Sequence, residues 1–215
     1  MSIRIVLADD HTIMREGLRS LLEKETDFEV VAEAGNGREA LELVRKLSPN
    51  VVIMDVAMPD MNGIQATIKI REEMPEVKII ALTVHADKNY LAGMLRAGTS
   101  GYLLKDCAAE ELVKAVRAVA EGKGYVSPEV AHLIMQDYGR PITEAEPAQS
   151  ELTTKEKEVL QLIAEGVSTK EIALRLRQSV KTIERVRAQI MDKLKLFSIA
   201  ELTKYALRHG LTSPE

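Results

Sequence analysis

Through residue 121 the chain repeats one pattern: a short apolar run, a polar turn, then a longer stretch with helical periodicity. Apolar runs at residues 3–8, 29–34, 51–54, 77–82 and 101–104 read as strands, and the stretches 14–23, 37–47, 63–73, 89–96 and 109–121 read as helices. A strand that returns to its own sheet through a helix must cross over right-handed and lie parallel to its predecessor. Five such units therefore predict one parallel sheet with helices on both faces, which binds ligands beyond the C-terminal strand ends.

Ser127-Pro128 then opens a short helix to about residue 138, because serine caps a helix and proline suits its first position. The stretch "GRPITEAEPAQS", residues 139–150, has two prolines and no apolar periodicity, and reads as a linker. From residue 151 the pattern is entirely helical. Thr153 with Glu156, Ser168 with Glu171, and Ser198 with Glu201 have the spacing at which two side chains reciprocally satisfy the exposed amides of a helix start. With a further start at Ser179, four helices are expected. The organisation predicted is residues 1–121, a connecting 122–150, and a helical 151–215.

The charge is divided along the same line. Residues 1–150 hold 17 Lys+Arg against 24 Asp+Glu, whereas residues 151–215 hold 12 against 9. The net charge of −4 thus hides a basic C-terminal part, and the asymmetry implies different partners for the two parts. A single cysteine excludes an intramolecular disulfide, and no apolar run approaches the roughly 20 residues that span a bilayer. The start Met1-Ser2-Ile3-Arg4 lacks the layout of a signal peptide, so a cytoplasmic protein without membrane contact is expected.

The stretch "VVIMDVAMPDMNG", residues 51–63, ends a buried-strand pattern in a lone aspartate and turns at once. An isolated aspartate there is ordinarily a turn or capping residue. Asp9 and Asp10, however, end the first strand as Asp55 ends the third, and in the strand order 2-1-3-4-5 those strands are neighbours. Three carboxylates so placed repel one another unless a divalent cation joins them, and Mg²⁺ suits hard oxygen donors and keeps waters free for phosphate oxygens. Thr83 and Lys105, at the ends of the fourth and fifth strands, add a hydroxyl donor and an ammonium. Positioning and charge neutralisation are most of what phosphoryl transfer needs, and aspartate is an established nucleophile for it.

With Asp9-Asp10, Asp55 in "DVAMPDMNG", Thr83, Tyr102 and Lys105, residues 1–121 resemble the receiver domain of two-component response regulators. The resemblance implies a flavodoxin-like, doubly wound, five-stranded sheet. It implies Asp55 as phosphoacceptor, Asp10 as a direct Mg²⁺ ligand, Asp9 as a ligand through water, and the Ala57 carbonyl as another ligand. Thr83 and Tyr102 would form a switch pair, with Tyr102 moving into space opened when the phosphoryl group draws Thr83 and Lys105 inward. Asp106 stands where many receivers carry proline. Two enzyme alternatives fail on chemistry: a haloacid-dehalogenase-type phosphatase wants an acid where Ala57 stands, and a flavodoxin wants a phosphate-cradling loop where Asp9-Asp10-His11 stands. Cys107 and the histidines at 11, 85, 132 and 209 show no metal-ligand spacing, and His85 alone is placed to influence phosphate lifetime from the rim.

In residues 168–196, Ile172, Leu176, Ile183, Val186, Ile190 and Leu194 form an apolar stripe, with Lys181, Glu184, Arg185 and Ala188 opposite. A plain bundle would leave that face merely solvated. The excess of Lys170, Arg175, Arg177, Lys181, Arg185 and Arg187 over Glu171 and Glu184 favours DNA, which a helix-turn-helix reads with the start of its second helix. Residues 152–210 resemble the LuxR-type helix-turn-helix, so the chain is identified as a response regulator of the NarL/FixJ class. That implies DNA contacts from Lys170, Lys181, Thr182, Glu184, Arg185, Arg187 and Ala188, and a dimer surface at Ile199, Leu202 and Tyr205. It also implies a partner histidine kinase, double-stranded DNA, a homodimer on phosphorylation, and RNA polymerase as a further partner to examine. No catalysis is expected beyond the receiver's own phosphoryl transfer and autodephosphorylation. Gln178, Val186 and Lys195 depart from the common pattern, where an aliphatic, a histidine and a glycine are frequent. The alternative reading is a phosphorylation-controlled adaptor whose helical domain docks a protein.

Overall fold

The computed structural model describes residues 2–84, 88–138 and 152–212, so the 139–150 linker and His85 lie outside the described residues. The chain divides into two compact units, residues 1–139 and 140–215.

The first unit runs β1 (Ile3–Ala8), α1 (Thr12–Leu22), β2 (Phe28–Ala34), α2 (Gly37–Leu47), β3 (Val51–Asp55), α3 (Gly63–Glu73), β4 (Lys78–Thr83), α4 (Lys88–Ala97), β5 (Gly101–Leu104), α5 (Ala109–Ala120), β6 (Tyr125–Val126) and α6 (Pro128–Tyr138). The strands are parallel throughout, in the order β2-β1-β3-β4-β5-β6. The sheet thus has six strands where the sequence predicts five. The sixth has two residues, too few for period-2 alternation to show, and is held by Tyr125 N–H and Ser127 N–H bonding to the carbonyls of Ser100 and Tyr102.

Alternation along the strands divides the core by face. Val6, Ala8, Val52, Met54, Ile79 and Ala81 lie with the buried residues of α2, α3 and α4, while Ile5, Leu7, Val51, Ile53, Ile80 and Leu82 lie with those of α1 and α5. Both faces are covered, which is why the strands read as unbroken apolar runs. Each fully buried Val, Leu or Ile contributes about 1.5–3 kcal/mol to folding.

Turn chemistry places the strand ends. The side chains of Asn36 and Asn62 cap α2 and α3, accepting from Glu39 N–H and Gln65 N–H at 2.9 Å each. A Cβ on Gly63 would run into the Asp55 carbonyl, so only glycine lets the chain double back so closely behind β3. That approach brings Gly63 N–H to the Val56 carbonyl at 2.9 Å and makes the turn after Asp55 compact.

The second unit holds α7 (Thr154–Ala164), α8 (Thr169–Arg175), α9 (Val180–Leu194) and α10 (Ile199–Arg208). The three reciprocal caps form as the sequence predicts, at Thr153/Glu156, Ser168/Glu171 and Ser198/Glu201, and Ser179 caps α9 through Thr182 N–H at 3.0 Å. Glu156 also pairs with Lys193 of α9 at 2.7 Å, which ties α7 to α9. Ile172, Ile183, Val186 and Ile190 are buried, with Leu176 and Leu194 packed partly against them. Val186 therefore serves the core, and Lys195, where glycine is frequent, ends α9 in the left-handed region at φ 54° and ψ 38°. No helix among the described residues is long and apolar enough to cross a membrane.

Candidate functional site

The register carries the end of β1, the end of β3 and the residues after β4 and β5 to one edge of the sheet. Ala8 lies beside Met54, Asp55 beside Leu82, and Thr83 beside Leu104, so Asp9, Asp55, Thr83 and Lys105 meet there. The Lys105 Nζ sits 2.7 Å from an oxygen of Asp9 and 2.7 Å from one of Asp55. All three side chains are almost wholly buried. Lys105 N–H also donates to the Thr83 carbonyl at 2.7 Å, which locks the loop after β5 to the end of β4.

Burial dominates the electrostatics of Asp55. Loss of water pushes its carboxyl up to about 6, against the pull of Lys105, while the neighbouring Asp9 charge pushes the same way as burial. Burial would lower the Lys105 ammonium, but the Asp55 and Asp9 carboxylates outweigh it and hold its proton more tightly than usual. One ammonium thus balances two buried carboxylates, and Asp10 adds a third, more exposed, at the rim.

Donor atoms of Asp9, Asp10, His11 and Asp55 all lie within 4.8 Å of one another. An octahedral ion with oxygen ligands near 2.1 Å spreads its donors over roughly 3 to 4 Å, so small side-chain rotations bring the three carboxylates onto a Mg²⁺-sized ion, with the His11 ring beside them. The backbone of Ala57 belongs to the same pocket, because its N–H points to Asp55 Oδ1 at 3.3 Å. The residues present fit a hard divalent cation.

Thr83 is buried at the end of β4. Tyr102 is completely buried among the side chains between the sheet and α2, α3, α4 and α6. Two residues of the pocket were not singled out in the sequence. Arg15 donates to the Asp9 carbonyl at 2.6 Å and braces the turn after β1. His11, set aside for want of metal-ligand spacing, turns its ring to Asp9 and Asp10, and adjacency to the paired aspartates was the signal available.

In the second unit Lys181, Glu184, Arg185 and Ala188 are exposed on one face of α9, Thr182 and Arg187 are half-buried beside them, and Lys170 is exposed on α8. The turn between α8 and α9 is closed by Gln178 N–H to the Ala173 carbonyl at 2.9 Å, with Arg177 at φ 52°. The expected dimer surface needs correction: Leu202 is 0% exposed inside the unit's own core and offers no surface. Ile199 is exposed, and Tyr205 is half-buried with its ring stacked on His209 at 3.9 Å.

Comparison with known proteins agrees with this geometry on both units. Residues 5–117 match the response regulator receiver domain, and residues 150–206 match the bacterial regulatory proteins of the luxR family. Over 97% of its length the chain is 37% identical to the transcriptional regulatory protein DegU of Brevibacillus brevis, covering 94% of that protein. It is 40% identical to the oxygen regulatory protein NreC of Staphylococcus carnosus, covering 97% of this chain and 99% of that one. Among solved structures, RcsB, seen as two dimers bound to two parallel DNAs, is 31% identical with a TM-score of 0.62, over 97% of this chain and 99% of that one.

Proposed function

The chain belongs to the two-component response regulators that join a receiver domain to a LuxR-type helix-turn-helix, and from that premise we propose that Asp55 is the phosphoacceptor whose modification drives dimerisation and DNA binding. The observation that carries the assignment is the Asp55 carboxylate itself, buried at the end of β3 with Lys105 at 2.7 Å and two further carboxylates beside it.

The phosphoryl donor is a phosphohistidine of a partner kinase. Asp55 attacks phosphorus, the P–N bond to the histidine breaks as the P–O bond to Asp55 forms, and the imidazole leaves with a proton. Water later attacks the acyl phosphate and returns the carboxylate and inorganic phosphate. Asp10, Asp55 and the Ala57 carbonyl, with Asp9 behind them, would hold a Mg²⁺, which would supply the positive charge that the phosphoryl oxygens require. Lys105 stays paired with Asp9 and turns to the phosphoryl oxygens, and the Thr83 hydroxyl donates to one of them. A phosphoryl group adds about −1.5 to −2 charge at Asp55, enough to fix Thr83 and the adjoining β4 end in one of two arrangements.

DNA binding is the output. Arg185 and Lys181 at the exposed start of α9 read base edges, while Lys170 and Arg187 hold phosphates. Two-fold pairing places two such helices on half-sites about one helical turn apart, near 10 bp. The RcsB dimers on DNA and the regulatory role in DegU's name support this reading. A small acyl phosphate with Mg²⁺ should label the wild type on Asp55 and leave Asp55→Asn unlabelled. Undiminished labelling of Asp55→Asn would contradict the assignment.

A further inference from the structure

His11 opens α1 without capping it: its side chain makes no hydrogen bond to the helix amides. The ring turns back toward the pocket instead. Its Nδ1 lies 2.9 Å from Asp10 Oδ1 and 3.2 Å from Asp9 Oδ1, and its backbone N–H donates to Asp9 Oδ1 at 2.8 Å.

The two aspartates are not held alike. Asp9 is buried and fixed from several sides, by the His11 amide on one oxygen, by Lys105 on the other, and by Arg15 on its carbonyl. Asp10 is about a third exposed, and among the described residues the His11 ring is the partner of its carboxylate. Without that ring the Asp10 side chain would sample its rotamers in water. Ordering such a side chain costs free energy at the moment it takes up a ligand, and a partner that orders it beforehand removes part of that cost.

We propose that His11 is the positioning residue for the metal pocket: its ring, hydrogen-bonded to Asp9 and with Nδ1 2.9 Å from Asp10, holds the Asp10 carboxylate in the orientation in which it receives Mg²⁺. Outer-shell partners of metal ligands shift metal affinity by about 10- to 100-fold. A single close contact at a part-exposed carboxylate belongs at the lower end. The proposal rests on the reading of Asp10 as a metal ligand, and it concerns affinity for the ion rather than the transfer step. Nothing about it requires the ring to touch the phosphoryl group.

The test is calorimetric titration of Mg²⁺ into full-length wild type, His11→Ala, His11→Asn and Asp10→Ala, paired with the Mg²⁺ dependence of labelling by a small acyl phosphate. Because the ring is exposed and caps nothing, His11→Ala should keep the wild-type Tm. It should weaken Mg²⁺ binding about tenfold. The Mg²⁺ concentration for half-maximal labelling should rise by the same factor, while the rate at saturating Mg²⁺ stays that of the wild type. His11→Asn, whose side-chain amide can stand where Nδ1 stands beside Asp9 and Asp10, should recover most of the loss. A His11→Ala affinity within twofold of wild type, beside lost binding in Asp10→Ala, overturns the role of His11 and leaves the pocket reading intact. An Asn variant as weak as the Ala variant, or a lowered rate at saturating Mg²⁺, overturns positioning by the ring Nδ1. Wild-type affinity in Asp10→Ala overturns the ligand reading, and the role of His11 with it.

Discussion

The pocket and the recognition face place charge in opposite ways. The pocket gathers Asp9, Asp55, Thr83 and Lys105 from four strand ends, spread from residue 9 to residue 105, and buries them against one another. The face of α9 gathers Lys181, Glu184, Arg185 and Ala188 from two turns of one helix and leaves them in water. Buried charges in contact must be read as one coupled object, whereas exposed charges on a helix act nearly independently. A charge change should therefore disturb stability in the first unit and only binding in the second.

The hardest test of that contrast is Lys105→Met in metal-free protein. It leaves Asp9 and Asp55 buried without their cation and should cost about 3–5 kcal/mol in urea unfolding. Asp55→Asn in the same background should restore much of the loss, so the two effects should fail to add. Additive effects would mean that the pocket is not coupled.

The pH dependence of metal-free protein comes next in size. The Asp55 carboxyl is raised from 3.8 to about 6 on folding, so the folded state holds its proton more tightly than the unfolded state does. Its contribution to stability is then fully present below about pH 4 and is lost as pH rises through about 6. At about 1.4 kcal/mol per pH unit, wild type should lose up to about 3 kcal/mol relative to Asp55→Asn across that window. A difference between the two proteins that stays flat from pH 4 to 7 would break this reading.

Smaller effects are expected on α9. Arg185→Ala should weaken operator binding by about 1–3 kcal/mol while leaving stability within about 0.5 kcal/mol. Arg187→Ala or Lys170→Ala should weaken all DNA alike and reduce the salt slope by about 1. Equal losses on operator and random DNA for Arg185→Ala would remove it from base reading. The smallest effect is at Lys195, held at φ 54° with its side chain in a highly exposed ion pair with Asp192 at 2.8 Å. Lys195→Gly should relieve the left-handed strain and stabilise the helical unit by about 0.5–1 kcal/mol, measured by its thermal unfolding.

The same contrast explains what could be read from the chain before its fold was known. Strand runs closed by Asp9-Asp10, Asp55, Thr83 and Lys105 are local signals, and sheet order then forces them together. The caps at Thr153, Ser168 and Ser198 are likewise three-residue patterns whose partners lie within one turn. Features that depend on distant chain were hidden. The two-residue β6 is defined only by its pairing with Gly101 and Tyr102 of β5. Leu202 falls on a helix whose apolar residues look alike in sequence, and only the packing of α10 against α7 decides that it faces inward while Ile199 faces water. His11 carries no pattern of its own, and its place beside Asp10 follows from how α1 leaves β1.

Coupling between Asp55 and DNA is the central claim, and binding free energies must be reciprocal if it holds. The most direct measurement is a titration of full-length protein with operator DNA, with and without acyl phosphate and Mg²⁺, on wild type and Asp55→Asn, with the oligomeric state followed by sedimentation. Wild type should bind more tightly and as a dimer when phosphorylated, by a factor of about 5 to 150, and Asp55→Asn should not respond. Identical operator affinity and oligomeric state with and without phosphorylation in wild type would contradict the account.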